Sequence, residues 1–264
     1  MDDRSRRLEE IKRKRNIRKR NKAKKIFIRL LICLVIISVF ALTILSLTVF
    51  FPIKNIVVKN PEPYSAEQIV SASGINKGEN LFMSGRKAEE NITVKLPYVS
   101  KIDISRKLPS KIIISVTKAS PAVTFEKDNK FYLCDTNNKL LEICNEAPEG
   151  VTVVSGCDFK NPKVGYNINI INKDGEKNVK IIFEALKNKN HSIEKIDVSN
   201  LVSLTFIIDG KYKVNLGSAS NIENKISHLE EMLKNISEDV EGEINLSLWT
   251  EKDPRGIFKQ GSIK

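Results

Sequence analysis

Histidine is nearly absent from this chain of 264 residues, glycine and proline are sparse at 12 and 9, cysteine occurs four times, and aromatic residues make up 6%. Each shortage removes a class. The two histidines, His191 and His228, fall in no His-Glu-x-x-His pattern, and no Cys-x-x-Cys pair exists, so the sequence offers no zinc set. There is no Gly-x-Ser-x-Gly elbow and no glycine run able to cradle a phosphate. Low glycine and proline exclude collagen-like and mucin-like chains, and four cysteines exclude a disulfide scaffold. The acidic pairs Glu89-Glu90 and Glu230-Glu231 fall on expected helices as solvated faces. The expectation is a protein that is not an enzyme, with no catalytic residues, metal, cofactor or small-molecule substrate.

What the chain has in excess is positive charge, 44 Lys and Arg against 32 Asp and Glu, a formal +12. The excess is concentrated. Residues 1–29 hold fourteen Lys or Arg and four acids, leaving the rest close to neutral. A basic tail on a nearly neutral body argues against nucleic-acid binding along the whole chain. Directly after it, Leu30 to Phe51 runs 22 residues without a charge, about 33 Å as a helix and enough to cross a bilayer. A signal-peptide core is shorter and ends at a small-x-small site, so the run is expected to be a transmembrane helix. With the cations on its N-terminal side and none after Phe51 until Lys54, the tail is expected in the cytoplasm and the body outside, at the plasma membrane. The tail reads as a topology determinant that also meets anionic lipid.

The body carries Cys134, Cys144 and Cys157. Phe131 to Cys144 reads as a hairpin turning at Asn137-Asn138, which sets Cys134 opposite Leu141 and predicts free, buried thiols.

Beyond the span, Ile53 to Lys59 predicts a strand ended by Pro61 and Pro63. Ser65 to Gln68 has the form of a capping box for a helix over Ala66 to Ser73, stopped at Gly74. Ala88, Ile92 and Leu96 share one face of a helix expected over Arg86 to Leu96, which Pro97 ends. Two alternating strands follow, Val99 to Arg106 and Lys111 to Thr117. The order is β-α-α-β-β.

After Pro121 come short expected strands over Val123 to Glu126, Lys130 to Leu133, Leu140 to Ile143 and Val151 to Val154, the pattern of an open antiparallel sheet. Helices are expected over Glu176 to Lys189 and, from a second capping box at Ser220 and Glu223, over Asn221 to Lys234. Between them lies a meander, Ile193 to Val198, Leu204 to Ile208 and Tyr212 to Leu216. A three-residue loop at its tight turn would pair Ile208 with Tyr212, Phe206 with Val214 and Leu204 with Leu216, matching apolar faces. The last strand is expected over Gly242 to Leu248, followed by a loosely packed, mobile tail from Glu251 to Lys264. The class is α+β, with a tail over 1–29, a span over 30–51, a first module over 52–118, a second over 119–250 and the terminal tail over 251–264.

The first module, with Gly74-Ile75, Asn80-Leu81-Phe82, Leu96-Pro97-Tyr98-Val99 and Arg106-Lys107-Leu108-Pro109 in that order, resembles a POTRA domain of the FtsQ/DivIB family of bacterial cell-division proteins. Ile196-Asp197-Val198, Val214-Asn215-Leu216-Gly217 and Gly242-Glu243-Ile244-Asn245-Leu246 are similar to that family's beta domain. The resemblance implies a bitopic divisome scaffold at the division septum. It would bind FtsL-like and DivIC/FtsB-like bitopic proteins and help position and regulate septal peptidoglycan synthesis. It further implies that a partner strand adds at Ile244, Asn245, Leu246, Ser247 and Leu248, with Trp249 as an apolar anchor. The alternative is a membrane-anchored cell-wall-binding or sporulation-channel adaptor.

Overall fold

The structure, a computed structural model, describes residues 24–44, 51–237 and 239–263. The first helix, α1 (Lys24–Ile44), is 21 residues long and apolar enough to cross a membrane, with none of it buried by the rest of the chain. It starts six residues ahead of the uncharged run, so Lys24, Lys25 and Arg29 belong to the helix and not to the tail. The remainder of the basic tail, and positions 45–50 of the expected span, lie outside the described residues.

The chain divides into two compact units, one formed by Met1–Ile56, Asn76–Ser84 and Arg106–Ile112, the other by Val57–Ile75, Gly85–Ser105 and Ile113–Lys264. In the first, main-chain bonds organise the segment that follows the uncharged run. Leu81 N–H donates to the Phe51 carbonyl at 2.9 Å, Ile53 N–H to Glu79 at 2.8 Å, and Lys54 N–H to Ser110 at 2.8 Å.

The predicted β-α-α-β-β order is present as β1 (Asn55–Lys59), α2 (Ala66–Ser73), α3 (Ala88–Lys95), β2 (Val99–Lys107) and β3 (Lys111–Lys118), in a sheet ordered β1-β3-β2. The Ser65 box closes as the sequence predicts: Gln68 N–H donates to Ser65 Oγ at 3.1 Å, and Ser65 N–H to Gln68 Oε1 at 2.8 Å. Gly74, at φ 71°, ends α2 in the left-handed conformation. The helix turns Ile69 and Ala72 inward; full burial of an isoleucine stabilises by roughly 1.5–3 kcal/mol. α3 is shorter than its periodicity predicts because Gly85, at φ 78°, and Lys87, at φ −107°, hold the preceding chain out of helical geometry.

The second module contributes β4 (Pro121–Lys127), β5 (Lys130–Asp135), β6 (Leu140–Cys144), β7 (Thr152–Ser155), α4 (Lys173–Leu186), β8 (Ile193–Asp197), β9 (Leu204–Ile208), β10 (Tyr212–Gly217), α5 (Ile222–Leu233), β11 (Gly242–Asn245) and β12 (Ile257–Gln260). These strands form one sheet ordered β12-β11-β10-β9-β8-β7-β4-β5-β6. It is mostly antiparallel, as expected. Three pairings, β4 with β7, β7 with β8 and β10 with β11, are nevertheless parallel, so the sheet is mixed. Helices account for two of the three: α4 joins β7 to β8 and α5 joins β10 to β11, and a crossover of that kind returns the chain in the same direction, whereas β7 reaches β4 after the β5–β6 hairpin without a helix.

Both helices pack on one face of this sheet. Val179, Ile182 and Leu186 of α4 and Ile222, Ile226 and Leu229 of α5 share a core with Phe206, Val214 and Ile244. The meander turn pairs Ile208 with Tyr212 and Phe206 with Val214, as matching faces require; a bulge before Gly217 sets Leu204 opposite Gly217 in place of Leu216. A similar irregularity sets Cys134 opposite Leu140, not Leu141, while Cys144 faces Phe131. The four cysteines are free. The second capping box does not form. Asn221 enters α5 at φ 52°, no side chain caps the helix, and Ser220 bonds Ser218 at 2.7 Å.

Candidate partner-binding surface

The expected site residues divide between core and surface. Ile244, Leu246 and Trp249 are buried in the core beside α5; Asn245, Ser247 and Leu248 face outward, Leu248 with 73% of its surface exposed. β11 ends at Asn245, three residues before the expected end. There the Asn245 side chain accepts from Ser247 N–H at 2.9 Å, and Trp249 N–H donates to Leu246, turning the chain.

β11 also has no open flank. It runs parallel to β10, with Ile244 opposite Val214, and antiparallel to β12, with Ile244 opposite Phe258. The segment expected to be a mobile tail therefore supplies a strand, and the end of the sheet lies one strand further out than the sequence reading put it. Ile257, Lys259 and Gln260 are exposed on β12, and Phe258 packs against the core. A four-residue strand with one inward side chain carries almost no periodic signal. The available hint is Gly256: a Cβ there would lie 2.2 Å from Met232 Sδ and 2.9 Å from Leu246 Cδ2, so any larger residue would make those two side chains shift as the chain passes α5 on its way into β12.

α5 is tied to this end of the sheet by Lys225, a lysine with 3% exposure. Its ammonium donates to the carbonyls of Leu216 at 2.7 Å and Ser218 at 3.0 Å, and burial lowers its pKa. Near the other end of the helix, His191 lies between two carboxylates, Nδ1 2.5 Å from Asp209 and Nε2 3.1 Å from Glu230. His191 is thus a half-buried clamp between α5 and the β9–β10 turn. His228 lies 3.7 Å from Glu231.

A cleft of about 360 Å³ opens between β4 and α4, lined by Val123, Phe125, Ile170, Val179 and Phe183. Of its lining carboxylates, Asp135, Glu176 and Glu184, Glu176 is held by Lys180 at 2.9 Å and Lys173 at 3.0 Å, which lowers its pKa. Among the described residues, no group of three or more His, Cys, Asp or Glu could hold a metal ion.

A family described as "POTRA domain, FtsQ-type" matches residues 51–118. Over 230 residues, 81% of this chain and 76% of the relative, the sequence is 28% identical to the cell division protein DivIB of Clostridium tetani. It is 28% identical over 192 residues to the cell division protein DivIB of Clostridium botulinum, covering 70% of this chain and 73% of the relative. Over 112 residues, 42% of this chain and 50% of the relative, it is 34% identical to the cell division protein FtsQ of Corynebacterium glutamicum. With its POTRA module following one apolar helix and a strand-rich module behind, the chain carries an FtsQ-type POTRA domain and is similar over most of its length to DivIB cell-division proteins.

Proposed function

We propose that the chain is a bitopic divisome scaffold, its basic tail in the cytoplasm and its two folded modules outside the membrane at the septum. In this reading it binds the outer regions of FtsL-like and DivIC/FtsB-like bitopic proteins and, through them, helps position and regulate septal peptidoglycan synthesis. The observation that carries it is the position of β12 at the end of the nine-stranded sheet, bonded to β11 on one side only. Such an edge presents unpaired backbone donors and acceptors to an incoming strand. The occupied flanks of β11 favour an added strand on Ile257 to Gln260, with Leu248 as a neighbouring apolar contact, over one on Ile244 to Ser247. Short length and Lys259 suit an edge that stays monomeric until a specific strand arrives.

The test is a binding titration of the full chain in nanodiscs against the outer regions of its FtsL-like and DivIC/FtsB-like partners. It is repeated with Gln260→Pro, which removes a main-chain donor from the open side of β12. Unchanged fluorescence of Trp249 would establish that the variant is folded. Loss of binding by the folded variant supports strand addition at β12; undiminished binding moves the interface elsewhere.

A further inference from the structure

The geometry points to a lipid-docking surface on the first compact unit: Phe82, Met83 and Leu108, framed by lysines, lie on the headgroup region of the bilayer that α1 enters. This goes beyond the scaffold reading and does not depend on it.

The three side chains are exposed by 44%, 58% and 65%, unusual for a phenylalanine, a methionine and a leucine on separate loops of one small unit. Both loops are pinned to the chain just after the uncharged run. Leu81 N–H bonds the Phe51 carbonyl, Pro52 bridges to Asn80, and the Phe82 ring meets the Phe51 ring edge to face at 5.3 Å. The turn holding Leu108 is anchored by Lys54 and Asn55 N–H groups donating to Ser110 at 2.8 and 3.2 Å. Phe51 is the last residue of the 22-residue uncharged stretch, so the apolar side chains are held beside the point where the chain leaves hydrocarbon.

Side-chain hydrogen bonds make the platform firm. Arg106 donates from Nε to the Leu81 carbonyl at 2.8 Å and from Nη2 to Ser84 at 3.0 Å. Asn80 Oδ1 accepts from Phe82 and Met83 N–H at 2.9 and 3.1 Å, which turns those two side chains outward. Glu79 is occupied within the loop by Ser84 Oγ at 2.5 Å and Asn76 at 2.8 Å.

Charge selects the occupant. Lys54, Lys77, Lys107 and Lys111 are exposed in this unit, and Glu79 is its single acid among residues 51–56, 76–84 and 106–112. An aromatic ring and aliphatic tips within a rim of lysines match an anionic interface, where apolar groups enter the headgroup layer and ammonium groups meet phosphates.

The experiment uses the full chain, with Cys33→Ser and Cys144→Ser, in nanodiscs containing phosphatidylglycerol. A nitroxide is placed at Met83→Cys or Leu108→Cys, and at Val202→Cys, a 75% exposed position in the β8–β9 connection, as the water reference. Collisions with a water-soluble nickel chelate and with oxygen are compared. Docking predicts at least three-fold fewer nickel collisions at 83 and 108 than at 202, with oxygen favoured, and weaker protection in phosphatidylcholine discs or after Lys107→Glu/Lys111→Glu. Nickel collisions equal to those at 202 would overturn the proposal, as would protection that arises only when a partner's outer region is added. Protection unaffected by lipid charge would overturn the anionic selection.

Discussion

The Lys139 ammonium donates to the Val99 carbonyl at 2.7 Å, joining the start of β6 to the start of β2 across forty residues of sequence. The lysine is 5% exposed, and beside it the Tyr98 hydroxyl donates to Glu142 at 2.8 Å. Burial moves the Tyr98 pKa up to about 12 and the Lys139 pKa down, with Asp135 partly opposing the latter.

Replacing this lysine leaves the Val99 carbonyl without its partner. Lys139→Met is expected to lower stability by about 1–3 kcal/mol at neutral pH, read by denaturant unfolding of the full chain followed at Trp249. Its pH signature is specific. The folded pKa lies below the unfolded 10.5, so between the two values the unfolded chain holds more protons, and stability contributed by Lys139 rises with pH through that window. The variant should lose this rise; an unchanged alkaline profile would count against a buried charged lysine.

Thiols supply the opposite slope. Burial raises the Cys134 pKa to about 12 and the Cys157 pKa to about 11, from 9.0. The unfolded thiols ionise first, so their contribution is complete below pH 9 and is lost as pH climbs toward 11–12. A water-soluble maleimide at pH 8 should modify Cys144 while sparing Cys134 and Cys157 until denaturant is added. Equal rates at the three would show that the hairpin core opens readily.

Gly165 reads as a sensitive position. It sits at φ 87°, and a Cβ on it would lie 2.5 Å from the Val94 carbonyl oxygen, a main-chain atom that cannot rotate away. Gly165→Ala should cost about 1–3 kcal/mol and raise amide exchange in α3. Exchange confined to 163–167 would indicate that α3 does not depend on the contact.

The POTRA order was legible because alternation in β3 and the Ser65 box are local signals, each complete within a few residues. Parallel pairing was not, since alternation records which face a residue takes and says nothing of the direction of its neighbour. The capping pattern at Ser220 failed because Asn221 turns left-handed, removing the geometry the box needs. β12 is too short to show as periodicity, so the alternation that marks Ile244 as a strand residue says nothing of the strand already filling its flank, and Leu246 lies past the end of β11, where the Asn245 side chain turns the chain.

α4 and α5 cover the same face of the nine-stranded sheet, and from β8 to β11 the opposite face carries Lys195, Thr205, Lys213, Asn215 and Glu243, all at least partly open to water. In these strands evolutionary drift should therefore be recorded at every second position. Val214 and Ile244 would be held to a narrow range of shapes, while Lys213 and Glu243 beside them exchange freely. Distant members would then preserve a beat of two along each strand long after overall identity has faded.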